Sequence, residues 1–132
     1  MLVQKFGGSS LASHAGFRAS AELVERFAAA EPVAVVLSAV YGVTDLLIEA
    51  IERAENGEDF EALVDEVLAR EQAIVDGIAD EGHAAAALHE LLAERRERLR
   101  SRLAGVRLLG DCPDKSRAEI LASGENLSSR LM

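Results

Sequence analysis

The chain has 132 residues and a mass of 14.1 kDa, enough for one domain built on a single core. Hydrophobic residues make up 49% and charged ones 28%, with no Trp, one Tyr and four Phe, which excludes a disordered chain and makes the core aliphatic. Lys+Arg 14 against Asp+Glu 23 leaves a formal net charge of −9, so neither nucleic acid nor an anionic membrane is an expected partner.

Leu2–Phe6 is a short, mostly apolar run stopped by Gly7-Gly8, and Pro32–Ser38 is a continuous apolar run rich in β-branched residues. Both read as buried strands. Between them, Leu11–Ala30 carries Phe17, Ala21, Val24, Phe27 and Ala28 at helical spacing, with Ser9 or Ser10 available as N-cap and Pro32 punctuating the end. Strand, helix and strand make a βαβ unit, whose parallel strands ask for helices on both faces of the sheet.

A second helix is predicted from Thr44 or Asp45 to about Ala54, ended by Asn56-Gly57. Phe60, Leu63, Val64, Val67, Leu68, Ile74, Val75 and Ile78 then keep a 3.6-residue period up to Gly82. His83–Leu103 repeats the habit with Leu88, Leu91, Leu92, Leu99 and Leu103 before Gly105. Joined through Asp80-Glu81-Gly82, the two segments predict an αα-hairpin, a helical insertion over about residues 58–104. Gly110–Asp114 reads as a turn, and Ser116-Arg-Ala-Glu119 has capping-box spacing for one more helix, still running at Arg130-Leu131-Met132. A sheet of two strands is small for independent stability, so residues 1–132 are expected to be the N-terminal part of a larger α/β domain.

Cys112 is the one cysteine, and His14, His83 and His89 show no metal-ligand spacing, so structural zinc and an intrachain disulfide are excluded. No run of 18 apolar residues occurs, and a soluble, cytoplasmic protein is expected.

Three segments carry candidate chemistry. In Lys5-Phe6-Gly7-Gly8-Ser9-Ser10, paired glycines let a phosphate approach the backbone at a strand's carboxyl end, and Lys5 offers a point charge. An ordinary Gly-Gly turn with a snorkelling lysine is the alternative. In Val36–Asp45, Ser38 leaves the second strand toward the crevice and Thr44 sits at a helix start, where it either helps to hold a carboxylate or serves as an N-cap. In Ala122-Ser-Gly124-Glu125-Asn126, a glycine inside a helical stretch asks for compensation by close packing or a ligand. Glu125 beside it either accepts hydrogen bonds from an ammonium group or is simply solvated. Arg95, Arg96, Arg98, Arg100 and Arg102 interleave with Glu90, Glu94 and Glu97 and read as a solvated face. The aliphatic stripes of the long helices read as core, and an uncovered one would serve oligomerisation.

Taken in order, Lys5–Ala12, Val36–Asp45 and Ser123–Met132 resemble the N-terminal part of aspartate kinase, a member of the amino-acid kinase family. The resemblance covers essentially the whole chain. Gly-Gly-Ser-Ser-Leu-Ala and Leu108–Asp114 look most like the aspartokinases fused to homoserine dehydrogenase. It implies a partial amino-acid-kinase fold, a parallel βαβ start with the helical hairpin inserted. It further implies that Lys5, Gly7, Gly8 and Ser9 meet the phosphates of ATP, Lys5 stabilising the transferred group, and that Ser38, Thr44 and Glu125 surround L-aspartate. The implied reaction passes the γ-phosphoryl group to the β-carboxylate, giving 4-phospho-L-aspartate for lysine, threonine and methionine synthesis. Mg2+ is expected for the full-length enzyme, a homo-oligomer is expected, and the segment alone is expected to be inactive. Ser9 stands where the family usually has Thr, and both keep a hydroxyl. The readings that compete are another amino-acid kinase, of the glutamate or acetylglutamate type, and a non-catalytic helical oligomerisation module.

Overall fold

Five strand residues pair in parallel with five others, Leu2 opposite Val33 through Phe6 opposite Leu37. A computed structural model describes every residue except 81, 83 and 84. Its order is β1 (Leu2–Phe6), α1 (His14–Ala28), β2 (Val33–Leu37), α2 (Val43–Glu55), α3 (Glu61–Asp80), α4 (Ala85–Leu109) and α5 (Asp114–Leu131). This is a mixed α/β architecture that opens on the expected parallel βαβ unit and carries the expected pair of long helices. The turn expected at Asp80-Glu81-Gly82 and the helix start expected at His83 fall partly outside the described residues.

The pleat alternates along β1: Leu2, Gln4 and Phe6 turn inward while Val3 and Lys5 turn outward. Val36 shares the outer face, and exposures of 61% for Val3 and 47% for Val36 leave that face open. Helices on both faces are therefore not what forms among the described residues. Packing centres on α2, which lies against α3, α4 and α5. Val43, Leu47, Ile51 and Ala54 of α2 meet Val64 and Val67 of α3, Leu103 of α4 and Ile120 of α5, all fully buried. No described helix is long and apolar enough to cross a membrane.

Helix boundaries differ from the sequence reading where packing competes with local signals. The first helix starts at His14 with Ser13 as N-cap, its Oγ accepting from the Gly16 N–H at 3.1 Å, rather than at Leu11 behind Ser9 or Ser10. Leu11 is fully buried, and its N–H closes a tight turn onto the Gly7 and Gly8 carbonyls at 3.2 and 3.1 Å. Burying that leucine delays the helix. The N-cap of α2 is Gly42 at φ 76°, and Thr44 lies inside the first turn instead of capping it. Gly105 does not end α4, because Val106 continues the buried stripe of Leu99 and Leu103; the end comes at Gly110, φ 70°. The last helix begins behind Pro113 with no side-chain cap, so the Ser116–Glu119 capping box is not used. Glu119 pairs instead with Arg102 at 3.1 Å.

The arginine-rich face is not solvated throughout. Arg95 points into the α3–α4 seam and donates twice to Glu71, Nε to Oε2 at 2.6 Å and Nη2 to Oε1 at 2.7 Å. Glu71 is fully buried, and its carboxyl is held above the usual carboxylate range by burial, which the Arg95 bonds and charge oppose. Arg96 and Arg100 reach Asp65 and Glu61 across the same seam at 2.9 and 2.6 Å.

Candidate functional site

After β1 the chain turns at once. Ser10 N–H donates to the Gly7 carbonyl at 3.0 Å, and Leu11 closes the turn into the core. The N–H groups of Gly8 and Ser9 donate to nothing among the described residues. Two amides without a protein acceptor, in a turn whose glycines present no Cβ, are the donors an oxyanion needs. They belong to a turn, not to a helix N-terminus: α1 starts five residues after Ser9 at His14. Lys5 is exposed on the open face of the sheet and makes no ion pair among the described residues.

β2 ends beside this turn. Ser38 N–H donates to the Phe6 carbonyl at 3.0 Å, so the ladder continues one step past the strand. Ser38 is half-buried, whereas Ala39 and Val40 turn fully into the core. Gly8 lies directly against the result: a β-carbon on it would stand 3.5 Å from Tyr41 Cα and 3.7 Å from the Ala39 carbonyl oxygen. Gly42 then reverses the chain in the left-handed region, which glycine alone adopts freely. Arg70 of α3 clasps this loop, Nη1 donating to the Tyr41 carbonyl at 3.0 Å and Nη2 to Glu66 at 2.6 Å. Sequence reasoning missed Arg70, because nothing in its local pattern marks a contact to a loop so far back along the chain.

α5 brings the third segment. Gly124 is buried against Ala39 and Val43; a β-carbon there would lie 2.8 Å from Ala39 Cβ and 3.3 Å from Val43 Cγ1. That close approach is the compensation which the mid-helix glycine requires. Glu125, next to it, is half-buried, and its Oε2 is shielded from solvent with no hydrogen-bond partner among the described residues. Ser128, one turn later and fully buried, has an equally unpartnered Oγ. An unsatisfied buried carboxylate oxygen is costly unless a donor arrives.

The structure thus gathers the Gly7–Ser9 turn, the Ser38–Val43 loop and the Gly124–Glu125 segment around one residue, Ala39. Lys5 projects from the strand leading into the first of these, and Thr44 is half-buried in the first turn of the helix leaving the second. Among the described residues no group of three or more His, Cys, Asp or Glu side chains is placed to hold a metal ion.

The profile of the amino acid kinase family matches residues 1–132. The bifunctional aspartokinase/homoserine dehydrogenase of Buchnera aphidicola is 28% identical over 137 residues, which take in 100% of this chain and 16% of that protein. Among solved structures, E. coli aspartokinase III in complex with aspartate and ADP (R-state) superposes with a TM-score of 0.80 at 29% identity, over 99% of this chain and 27% of that one. The same enzyme in complex with lysine and aspartate (T-state) gives 0.79 at 29% identity and the same coverage. The chain spans about a sixth of the curated relative and about a quarter of the structural ones. A likeness that runs through the turn, the loop and α5 alike, under a profile spanning every residue, places this aspartokinase-like chain in the amino acid kinase family.

Proposed function

We propose that this chain supplies part of the active site of an aspartate kinase, in which ATP phosphorylates the β-carboxylate of L-aspartate to give 4-phospho-L-aspartate. The observation that carries the reading is that Gly8 and Gly124 both approach Ala39, Gly8 at its carbonyl oxygen and Gly124 at its β-carbon, which brings turn amides without a protein acceptor and an unpartnered carboxylate oxygen to the same residue's neighbourhood. The aspartate and ADP named for the E. coli relative support it.

In this reading a β-carboxylate oxygen of aspartate attacks the γ-phosphorus, forming the acyl phosphate as the bond to the ADP oxygen breaks. The Gly7, Gly8 and Ser9 backbone, with the Ser9 hydroxyl, cradles the phosphates. Lys5 stabilises charge on the transferred group, for which positioning and electrostatics are the main requirements. Ser38 and Thr44 hydroxyls hold carboxylate oxygens of aspartate, and Glu125 accepts from its ammonium group, which gives Oε2 a donor. A chain matching about a quarter of its structural relatives is proposed to hold a portion of the site, not all of it.

Backbone amide NMR of the chain during titration tests this. ATP is expected to shift Gly7, Gly8 and Ser9, and aspartate to shift Ser38, Thr44 and Glu125; Lys5→Met weakens the first response and Glu125→Gln the second. Equal responses to glutamate and aspartate, or none at these residues, would overturn the assignment. Coupled ADP release is expected to stay at background; steady turnover with aspartate would overturn the partial-site reading alone.

A further inference from the structure

We infer that the cleft between α4 and α5 is a second binding site, for a small oxyanion, a phosphate or carboxylate group carried on a short apolar body. The cleft has a volume of about 250 Å3, a rim of Arg98, Arg102 and Arg130 and a floor of Leu99, Ile120 and Leu127. It lies on the flank of α5 away from the Gly124–Ala39 contact and includes none of the residues assigned to nucleotide or aspartate.

The pairing of the arginines leaves this cleft distinct from the rest of the surface. Eight of the arginines are ion-paired and Arg107 lies over the Phe60 ring at 5.3 Å. Only Arg26, Arg98 and Arg130 have no such partner among the described residues, and two of these three face this one cleft. That is a notable omission in a chain with 23 acidic residues. Within the lining, Arg102 is matched by Glu119 at 3.1 Å and Arg95 by Glu71 at 2.6 Å. Glu94 is the one lining carboxylate without an ion pair, so two guanidiniums face one exposed acid. Ser123 spends its hydroxyl on the Ile120 carbonyl at 2.5 Å, which leaves the Asn126 amide as a further donor at the rim. Planar guanidinium forks above an apolar floor suit an oxyanion better than a cation or a wholly apolar molecule.

The probes are inorganic phosphate and succinate, each titrated into the full chain while amide resonances are followed. Saturable shifts are expected over residues 94–102 and 119–130, and the stronger response identifies which oxyanion the cleft prefers. Arg98→Gln with Arg130→Gln is expected to weaken that binding by about tenfold or more, while Lys5→Met leaves it unchanged. Both arginines are exposed, so the melting temperature is expected to hold; if the double variant unfolds, Arg98→Gln alone carries the test. Shifts that never saturate with either probe, that survive the arginine substitutions, or that fall only on Gly7–Ser9 would overturn the proposal. None of these results depends on whether ATP or aspartate binds elsewhere.

Discussion

Gly124 of α5 packs directly against Ala39 in the loop after β2: the Ala39 methyl lies 2.8 Å from where a Gly124 β-carbon would stand. Glycine in a helix interior normally costs about 1 kcal/mol relative to alanine. At this position the sign reverses, because the added methyl would collide with Ala39 and press on Val43 at 3.3 Å. Gly124→Ala is therefore expected to destabilise the fold by about 1–3 kcal/mol despite the propensity gain. Denaturant unfolding measures it, and adding Ala39→Gly should recover part of the loss by making room, a non-additivity expected only of residues in contact. A stabilised single variant would show that α5 does not pack where this contact puts it.

A second position tests the loop between β2 and α2. Gly42 caps α2 at φ 76°, in the left-handed region, where an L-residue costs about 1–2 kcal/mol. A β-carbon would also come within 2.0 Å of Arg70 Nη1, so the guanidinium must swing away and release the Tyr41 carbonyl. Gly42→Ala is expected to lower stability by about 1–2 kcal/mol. Arg70→Ala should loosen the same loop without the backbone strain. Faster amide exchange at Tyr41–Val43 in both variants, with a large stability loss in the first only, separates the two effects.

Much of this was legible in the chain. Continuous apolar runs and the Gly-Gly stop give β1 and β2, and unbroken 3.6-residue periods give α3 and α4, since burial itself writes those patterns. Ser9, Ser10 and Ser13 are equally good caps locally, and only the burial of Leu11 chooses among them. Glu71 and Arg95 did leave a trace: Glu71 follows Val67 and Leu68 and precedes Ile74 and Val75, and Arg95 stands between Leu92 and Leu99. Charges of opposite sign inside two apolar stripes predict a buried pair, a signal masked by the neighbouring surface arginines. Gly124 announced that something must approach closely, but a helix cannot name its partner in a loop far back along the chain.

The turn between α4 and α5 is anchored by Glu55, at the end of α2. Its Oε1 accepts from the Cys112 N–H at 3.0 Å, and both oxygens accept from Arg117 Nη2 at 3.1 and 3.0 Å. Cys112 is buried, and burial pushes its thiol above the usual range, a push which Arg117 opposes and Glu55 and Asp111 reinforce. The thiol is therefore expected to react slowly with a thiol reagent near neutral pH, since the thiolate is the nucleophile. Glu55→Ala leaves the Cys112 amide and the Arg117 guanidinium unmatched, for an expected loss of about 2 kcal/mol. Opening of the turn should raise the labelling rate of Cys112 well above that of the parent chain, and an unchanged rate would show that Glu55 does not hold it.

Glu71 and Arg95 form the most deeply buried ion pair among the described residues, bidentate and almost wholly out of water. Removing the arginine alone strands a carboxylate in the seam, so Arg95→Met is expected to cost about 3–5 kcal/mol at neutral pH. Removing both charges, with Glu71→Leu added, should recover most of that loss or exceed it. The pH dependence separates these outcomes. Glu71 is already held above the ordinary carboxylate range by burial. Without Arg95 the opposing contributions vanish and its folded-state pKa rises further. Between the unfolded and folded pKa values the folded chain then binds the extra proton, so stability falls as pH rises through that window and returns on acidification. Relative to the parent, the melting temperature of Arg95→Met should therefore improve as pH is lowered from 7 toward 5, and that of the doubly substituted chain should not. A deficit for Arg95→Met that stays constant with pH would place Glu71 in contact with water and remove it from the core.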